Sequence, residues 1–321
     1  MTTPSTPAPR TVGEFVAAGT AYLERQRVEN PRVVCELLAC RLFHCPRLQL
    51  FLHYAETPPP PIVNAWRRGL KRVADGEPLQ YVQGEWDFRR LTLTVDPRAL
   101  IPRPETEQLV DLVLAAPELW NPPTGNGGSG RSAGSRAAGP ALPVTTNTRS
   151  ALPLIVDVGT GSGCIVLSLA TERPQARYVA IDASAAALEL ALTNASRCGV
   201  ADAIEFRHAS GGGEFPAGSV DAMVANLPYI PTPVVATLEK QIRDHEPRQA
   251  LDGGPDGLDI IRDVARDAVM VLRPRGWLFL EIGDEQGPAV RELLENLGFV
   301  DVAILPDLAG KTRFARARQG G

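Results

Sequence analysis

The chain has 321 residues, of which 44% are hydrophobic and 22% charged, and its formal net charge is −4. This length allows one large domain beside a small one. The acidic balance argues against a nucleic-acid duplex as partner, because duplex-binding proteins usually carry a basic face. No apolar run approaches the roughly 18 residues that a membrane-spanning helix needs. We therefore expect a cytoplasmic protein that contacts neither a membrane nor nucleic acid directly.

The cysteines are also consistent with a cytoplasmic protein. The five cysteines are odd in number and form no CxxC pair, which fits a reducing environment without a disulfide framework. Cys35, Cys40 and Cys45 recur every five residues, an offset of roughly 140° around a helix that does not bring ligands onto one face. We predict small buried side chains here and no metal site.

The first 75 residues indicate a small helical domain. Residues 1–10 are rich in Pro and Thr and lack an apolar core, which predicts a disordered tail and no secretory signal. Apolar residues then recur at helical spacing in three successive segments. The second begins at Asn30-Pro31, where Asn can cap the helix and Pro takes its first position, and the third follows the prolines at 58–61. The resulting domain over 11–75 either docks a substrate or only stabilises the fold.

Residues 76–100 change to a period of two. Trp86 and Phe88 alternate with polar residues, as do Leu91 and Leu93, which predicts a β-hairpin linker. The next segment, Ile101-Pro102-Arg103-Pro104-Glu105-Thr106-Glu107, leads into an apolar helix that Thr106 can cap. Such a segment is an ordinary way to begin a helix, but Arg103, Glu105 and Thr106 are also candidates for shaping a pocket.

From residue 101 onward the pattern is that of a large α/β domain, 101–321. Residues 121–150 are a low-complexity run that predicts a flexible insertion, and Asn121-Pro122-Pro123-Thr124 within it is assigned no chemistry. After it, strands and helices alternate, which predicts a doubly wound, mostly parallel, seven-stranded sheet with helices on both faces. Predicted strands are 154–158, 178–182, 204–207, 220–225, 277–282, 299–305 and 312–315; predicted helices are 164–171, 185–198 and 260–272.

A glycine-rich turn follows the first predicted strand of this sheet. Asp157-Val158-Gly159-Thr160-Gly161-Ser162-Gly163 lets the backbone approach a ligand closely at a helix N-terminus. A dinucleotide fold needs a third glycine at position 164, where this chain has Cys164. S-adenosylmethionine fits better, because Asp157 can attract its amino group and Asp182, at the next strand end, can accept hydrogen bonds from its ribose hydroxyls.

The predicted strand 220–225 ends in Asn226-Leu227-Pro228-Tyr229-Ile230. The Asn226 side-chain oxygen, the carbonyl of Leu227 and the ring of Tyr229 can form an acceptor site for a planar NH2 group. The alternative is a plain corner between strand and loop, in which Asn caps and Pro turns.

Taken together, these motifs resemble the class I methyltransferases, and more closely the HemK/PrmC family. The resemblance extends from the helical domain to the C-terminus. It also rests on Glu77-Pro78-Leu79-Gln80-Tyr81-Val82-Gln83-Gly84, Glu246-Pro247 with Ala250-Leu251, and Glu281-Ile282-Gly283.

The resemblance implies transfer of a methyl group from S-adenosylmethionine to the glutamine side-chain amide in the Gly-Gly-Gln loop of class I peptide chain release factors. It implies a monomer that docks the release factor on its helical domain. The expected catalytic and substrate-binding residues are Asn226, Leu227, Pro228 and Tyr229. The expected cofactor-binding residues are Asp157, Gly159, Thr160, Gly161, Ser162, Gly163, Asp182, Ser210 and Asn226.

Two positions depart from the family pattern. The family has Asn-Pro-Pro-Tyr where this chain has Leu227 at the first proline, although leucine keeps the backbone carbonyl and the extended bias before Pro228. The third strand of the family usually ends in an acidic residue near the adenine, whereas here Ser210 precedes Gly211-Gly212-Gly213. Ser210 accepts a hydrogen bond more weakly than a carboxylate does.

Three other functions stay open at this stage. The acceptor site also suits a ribosomal-protein glutamine, or the amino group of adenine in DNA, although the latter needs a basic channel and a flipped base. The departures at Leu227 and Gly211–Gly213 also fit a cofactor-binding protein with impaired turnover.

Overall fold

The computed structural model describes residues 10–120 and 152–321. The predicted tail up to residue 9 and the predicted insertion 121–150, with Asn121-Pro122-Pro123-Thr124, lie outside the described residues. Within them, no helix is long and apolar enough to cross a membrane.

The first helices pack around a small core of their own. They are α1 (Val12–Arg25), α2 (Pro31–Phe43) and α3 (Pro60–Ala74), with a 3₁₀ helix over Arg47–His53. Thr11 and Glu14 form a reciprocal capping box at α1. Asn30 stands at the N-cap of α2 as predicted, but its backbone is left-handed (φ 47°) and not extended as at an ordinary N-cap, and its side chain makes no cap hydrogen bond. Trp66 and Leu23 are among the buried residues of this core.

The hairpin predicted between the helical core and the sheet is present, but a helix that was not predicted precedes it. A short helix, α4 (Leu79–Gln83), comes first, and the antiparallel pair β1 (Glu85–Phe88) and β2 (Leu91–Thr94) follows. The sequence pattern missed α4 because five residues are too few to show a helical period. Two helices come next, α5 (Pro104–Leu114) and α6 (Pro117–Trp120).

The prediction that Thr106 caps α5 is wrong. Arg103 is the N-cap residue and Pro104 begins the helix, which puts Thr106 inside the first turn. Its side chain is 1% exposed and its hydroxyl is directed at Glu281 instead of at its own backbone. A capping pattern in the sequence cannot reveal a partner 175 residues away.

The predicted doubly wound, mostly parallel, seven-stranded sheet is confirmed. Its order is β5-β4-β3-β6-β7-β9-β8, with parallel pairing from β5 to β7 and antiparallel pairing of β9 and β8. The strands are β3 (Leu154–Val158), β4 (Arg177–Asp182), β5 (Ile204–His208), β6 (Val220–Asn226), β7 (Leu272–Glu281), β8 (Phe299–Pro306) and β9 (Thr312–Gln319).

Helices cover both faces of this sheet. Helices α7 (Cys164–Glu172) and α8 (Ala185–Cys198) pack on one face, and α11 (Asp259–Val271) and α12 (Gly287–Asn296) pack on the other. Two short helices, α9 (Thr232–Val235) and α10 (Lys240–His245), follow the end of β6. Two apolar cores result, one with Val156 and Ile261, the other with Ile155 and Leu167. The sequence pattern did not predict α9, α10 or α12.

The strand order decides where a ligand can bind. β3 pairs with β4 on one side and with β6 on the other, so the connections leave β3 and β6 in opposite directions. A crevice forms at such a switch point, outside the carboxyl ends of the strands. The carboxyl end of β6 also lies beside that of β7, with Asn226 paired to Glu281.

Candidate active site

A cavity opens at the carboxyl edge of the sheet, where β3, β4 and β6 end. Most of the residues singled out in the sequence lie on its wall. The lining includes Ile101, Arg103, Thr106, Gly159, Thr160, Gly161, Ser162, Asp182, Ser210, Asn226, Leu227, Pro228, Pro247, Gln249 and Asp252.

The glycine turn forms one side of the cavity. Gly159, Gly161 and Gly163 have φ values of 72°, 56° and 84°, a left-handed backbone that other residues adopt only with strain. Gly163 is the N-cap residue of α7. A side chain at Gly159 would also come within 3.2 Å of Cδ2 of Leu227. Glycine is therefore needed in this turn for two reasons, the left-handed backbone and, at Gly159, the close approach of the loop after β6.

Asp157 lies behind this turn and is not part of the cavity wall. Its side chain is fully buried, and Oδ2 accepts hydrogen bonds from the Thr160 hydroxyl (2.7 Å) and the Val166 amide (3.3 Å). Oδ1 has no hydrogen-bond partner among the described residues. Burial raises the pKa of Asp157 to about 7, although the Thr160 hydrogen bond lowers it. Asp157 is thus a buried acceptor with one free oxygen beneath the glycine turn.

Asp182 lies on the cavity wall at the end of β4. Its Oδ2 accepts from the amide of Gly161 and its Oδ1 from the amide of Ser184, both at 2.8 Å. Burial raises the pKa of Asp182, while these two backbone hydrogen bonds lower it. Each carboxylate oxygen keeps a lone pair for a further donor, so Asp182 can still accept from the hydroxyl groups of a ligand.

The glycines after Ser210 have a packing role. A side chain at Gly211 or Gly213 would come within 2.5 or 2.9 Å of the Asp267 carboxylate, and the amide of Gly212 donates to that carboxylate at 3.0 Å. Ser210 itself is exposed at the rim of the cavity. The glycine run therefore reflects close packing against α11.

The residues that end β6 divide into two groups. Asn226, Leu227 and Pro228 line the cavity, whereas Tyr229 lies beside it, packed on the core between β6 and α11. Burial raises the pKa of Tyr229 to about 12. The Leu227 side chain is buried in the same core. Leucine thus fills space where the family has proline.

A buried hydrogen-bond network supports Asn226 from behind. Its Nδ2 donates to the Thr106 hydroxyl at 3.0 Å, and this hydroxyl donates to Oε2 of Glu281 at 2.7 Å. Glu281 is 1% exposed, and burial raises its pKa to about 7. Sequence reasoning treated Glu281 only as part of a family motif. Its place at the end of the strand next to β6 was the one signal available.

Glu246 joins two parts of the cavity rim and was not predicted as a site residue. Its buried carboxylate accepts from Arg103 at 2.5 Å and from the amide of Ile101 at 3.3 Å. Arg103 thus holds the loop before α5 against the segment after α10. Glu105 is half-buried and is not on the cavity wall. Within residues 10–120 and 152–321, no cluster of His, Cys, Asp or Glu could hold a metal ion.

Comparison with known proteins matches both parts of the chain. Residues 14–84 match the family model of the PrmC N-terminal domain, and residues 155–245 match that of a methyltransferase domain. Release factor glutamine methyltransferases from Moorella thermoacetica and Cereibacter sphaeroides are 38% and 37% identical to this chain. The alignments cover 89% and 84% of this chain and 90% and 84% of those relatives.

Solved structures agree on the fold. The hMettl16 catalytic domain, in complex with a 3′UTR hairpin, superposes with a TM-score of 0.51 at 13% identity. The match covers 81% of this chain and 82% of that one. At this identity the likeness is one of fold alone.

The loop after Asn226 is supported by a second glycine segment, which can be tested. A side chain at Gly257 would overlap the carbonyl oxygen of Tyr229 and come within 2.7 Å of Nε2 of Gln286. Gly199 has a similar φ, 71° against 78°, but open space around it.

We expect Gly199→Ala to lower the free energy of unfolding by about 1 kcal/mol, from backbone strain alone. Gly257→Ala should lower it by about 3 kcal/mol, because overlap adds to strain. Urea unfolding of both variants measures the difference, and equal losses would mean that the contact with Tyr229 is unimportant.

Proposed function

The chain belongs to the release factor glutamine methyltransferase family, and we propose that it methylates the side-chain amide nitrogen of the glutamine in the Gly-Gly-Gln loop of class I peptide chain release factors. The methyl donor is S-adenosylmethionine. A release factor as substrate also implies a cytoplasmic location.

The observation that carries this proposal is the orientation of Asn226. Its NH2 group donates to Thr106 on the buried side, which leaves its oxygen to accept from a group in the cavity that Asn226 lines. An acceptor here suits the NH2 group of a carboxamide, and the neighbouring carbonyl of Leu227 offers a second one. Two acceptors can take both hydrogens of one planar amide and hold its nitrogen at the cavity.

An amide nitrogen is a poor nucleophile because its lone pair is delocalised into the carbonyl group. When bound, S-adenosylmethionine supplies an activated methyl group on a positively charged sulfur. Asn226 and Leu227 orient the amide nitrogen toward this methyl group, and their oxygens stabilise the positive charge that grows on the nitrogen. As the nitrogen gains the methyl group it becomes acidic and loses its proton easily. A strong general base is therefore unnecessary.

The residues of the glycine turn fit the proposed cofactor. Asp157 lies beneath the turn with one oxygen that has no partner among the described residues, and its charge can attract an ammonium group bound above the turn. Asp182 offers carboxylate oxygens at the adjacent strand end, which suit ribose hydroxyls, and the Ser210 hydroxyl at the cavity rim can accept from the adenine amine. Because Gly159 has no side chain, a ligand can lie close to the backbone of the turn.

The departure at Leu227 is compatible with this function. The proposed chemistry uses the backbone carbonyl at this position, which leucine shares with proline. The buried Leu227 side chain replaces the stiffness of the proline ring with packing against the sheet core. We therefore favour an active enzyme over a cofactor-binding protein without turnover.

The helical domain is the proposed docking surface for the body of the release factor. Leu48 and Phe51, on the 3₁₀ helix Arg47–His53, are 87% and 64% exposed, and Leu52 beside them is 63% exposed. Large apolar side chains that share one exposed segment are typical of a protein interface. A plain stabilising cap would have no need to expose them.

The role of Asn226 can be tested by mass spectrometry of the release-factor glutamine. We expect Asn226→Ala to lower the methylation rate at saturating cofactor by about 100-fold or more, because it removes an orienting and electrostatic contact. Leu227→Pro, which keeps the carbonyl and restores the family residue, should retain the rate. A near-normal rate in Asn226→Ala would refute the assigned role, and methylation of DNA in place of the factor would refute the proposed substrate.

The role of Asp157 predicts a pH dependence of cofactor binding. With a pKa raised to about 7, Asp157 is protonated in acid and attracts the ammonium group only when it ionises. We expect the affinity for S-adenosylmethionine to fall as the pH is lowered from 7.5 to 6, by up to about tenfold per unit below the pKa. Asp157→Asn should bind more weakly with little pH dependence. Isothermal titration calorimetry measures both, and an equal slope in the variant would exclude Asp157.

The docking surface predicts a selective change in KM. We expect Phe51→Ser to raise the KM for the intact release factor by about tenfold, because a central aromatic contact is commonly worth that much. The KM for a short Gly-Gly-Gln peptide should stay unchanged. Leu308→Ser is the matched control, since Leu308 is 91% exposed but lies between β8 and β9. Equal KM values for Phe51→Ser and the unsubstituted protein would place docking elsewhere.

A further inference from the structure

Thr106 links two groups of different function, an amide at the cavity and a buried carboxylate behind it. Its hydroxyl stands 3.0 Å from Nδ2 of Asn226 and 2.7 Å from Oε2 of Glu281. Both Thr106 and Glu281 are 1% exposed, so no bulk water competes for these contacts. Asn226 and Glu281 are held beside one another by the parallel pairing of β6 and β7.

A hydroxyl has only one proton to donate, and this fixes the direction of the network. An ionised Glu281 can only accept, so the Thr106 proton points at Glu281. The Thr106 oxygen must then accept, and the only group of Asn226 that can donate to it is the NH2. The Asn226 oxygen is therefore left facing the cavity. A protonated Glu281 removes this constraint, because its carboxyl group can donate to Thr106, which in turn can donate to the Asn226 oxygen.

We propose that Glu281, acting through the Thr106 hydroxyl, is a positioning residue that keeps the oxygen of Asn226 directed at the substrate amide. This inference rests on the proposed function, since it concerns how the same site orients its acceptor. In the reversed arrangement the Asn226 NH2 faces the NH2 of the substrate, and two donors repel each other. The ionised form of Glu281 is thus the active form.

The surroundings of Glu281 make its ionisation sensitive to pH. Burial raises its pKa to about 7, the Thr106 hydrogen bond and the Arg313 and Arg103 guanidinium groups lower it, and Glu105 raises it. Tyr229 and Cys164 also face Glu281, and burial keeps both neutral at physiological pH by raising their own pKa values. The methylation rate should consequently fall as the pH drops through the pKa of Glu281.

The test compares Glu281→Gln, Thr106→Val and Thr106→Ser with the unsubstituted protein at saturating S-adenosylmethionine, between pH 5.5 and 8.5. We expect Glu281→Gln and Thr106→Val to lower kcat about tenfold at pH 8, with little change in the KM for the release factor. Their rates should no longer fall at acidic pH. Thr106→Ser keeps the hydroxyl and should retain both the rate and the acidic fall. If the role of Thr106 were purely structural, kcat would not differ in this way between Thr106→Ser and Thr106→Val, and the pH dependence would remain in all variants.

A second measurement does not depend on turnover. The side-chain NH2 resonances of Asn226, assigned by their loss in Asn226→Ala, should titrate with an apparent pKa near 7 in the full-length protein and should stop titrating in Glu281→Gln. Resonances that titrate identically in both proteins, or an unchanged kcat and pH profile in Glu281→Gln and Thr106→Val, would overturn the inference. Failure to methylate any release factor, with the Asn226 titration intact, would count against the proposed function alone. Should Thr106→Val not fold, Glu281→Gln and Thr106→Ser still decide the outcome.

Discussion

The site depends on the parallel pairing of β6 with β3 on one side and β7 on the other. This pairing places Asn226 directly beside Glu281, and Asp157 beside Val224, two residues before Asn226. Hydrogen bonds between strands fix these positions, and the apolar cores on both faces prevent slippage, because a shift by one residue would move every side chain of a strand to the opposite face, into a core that it does not fit. The loops that follow the strands can vary, as Leu227 does, while the strand ends stay in place.

Much of this framework could be predicted from the sequence. The strands around Asp157, Asp182 and Asn226 are short apolar runs that end in turn residues, and helices α8 and α11 show a clear helical period. Those signals are local, and they were sufficient to predict a mostly parallel sheet. The short helices α4, α9 and α10 span six residues or fewer, too few for a period to appear. Helix α12 is longer and was missed, although Pro288 in its first turn is an ordinary signal for the start of a helix.

Of the candidate site, the residues at the strand ends could be predicted from the sequence, but the contacts between distant segments could not. The cavity brings Gly159, Asp182 and Asn226 together because strand ends in a parallel sheet share one edge. Thr106 could be named as a pocket residue, but its actual partners lie 120 and 175 residues further along the chain. Glu246 bonds backward over 145 residues to Ile101. Such pairs arise from tertiary packing, and no spacing rule within one segment reports them.

The two buried carboxylates show how the fold and the site make opposite demands. Asp157 and Glu281 both have pKa values raised by burial, so the folded protein holds protons that the unfolded chain would release between about pH 4 and 7. The stability that each contributes is therefore greatest in acid and falls as the pH rises toward 7, where the folded state must accept a buried charge. Replacing either by its neutral amide would remove this loss of stability at neutral pH. The roles proposed for them would explain their presence at strand ends next to the cavity, since both roles need a charge, one to attract a cationic cofactor and the other to set the direction of a hydrogen-bond network.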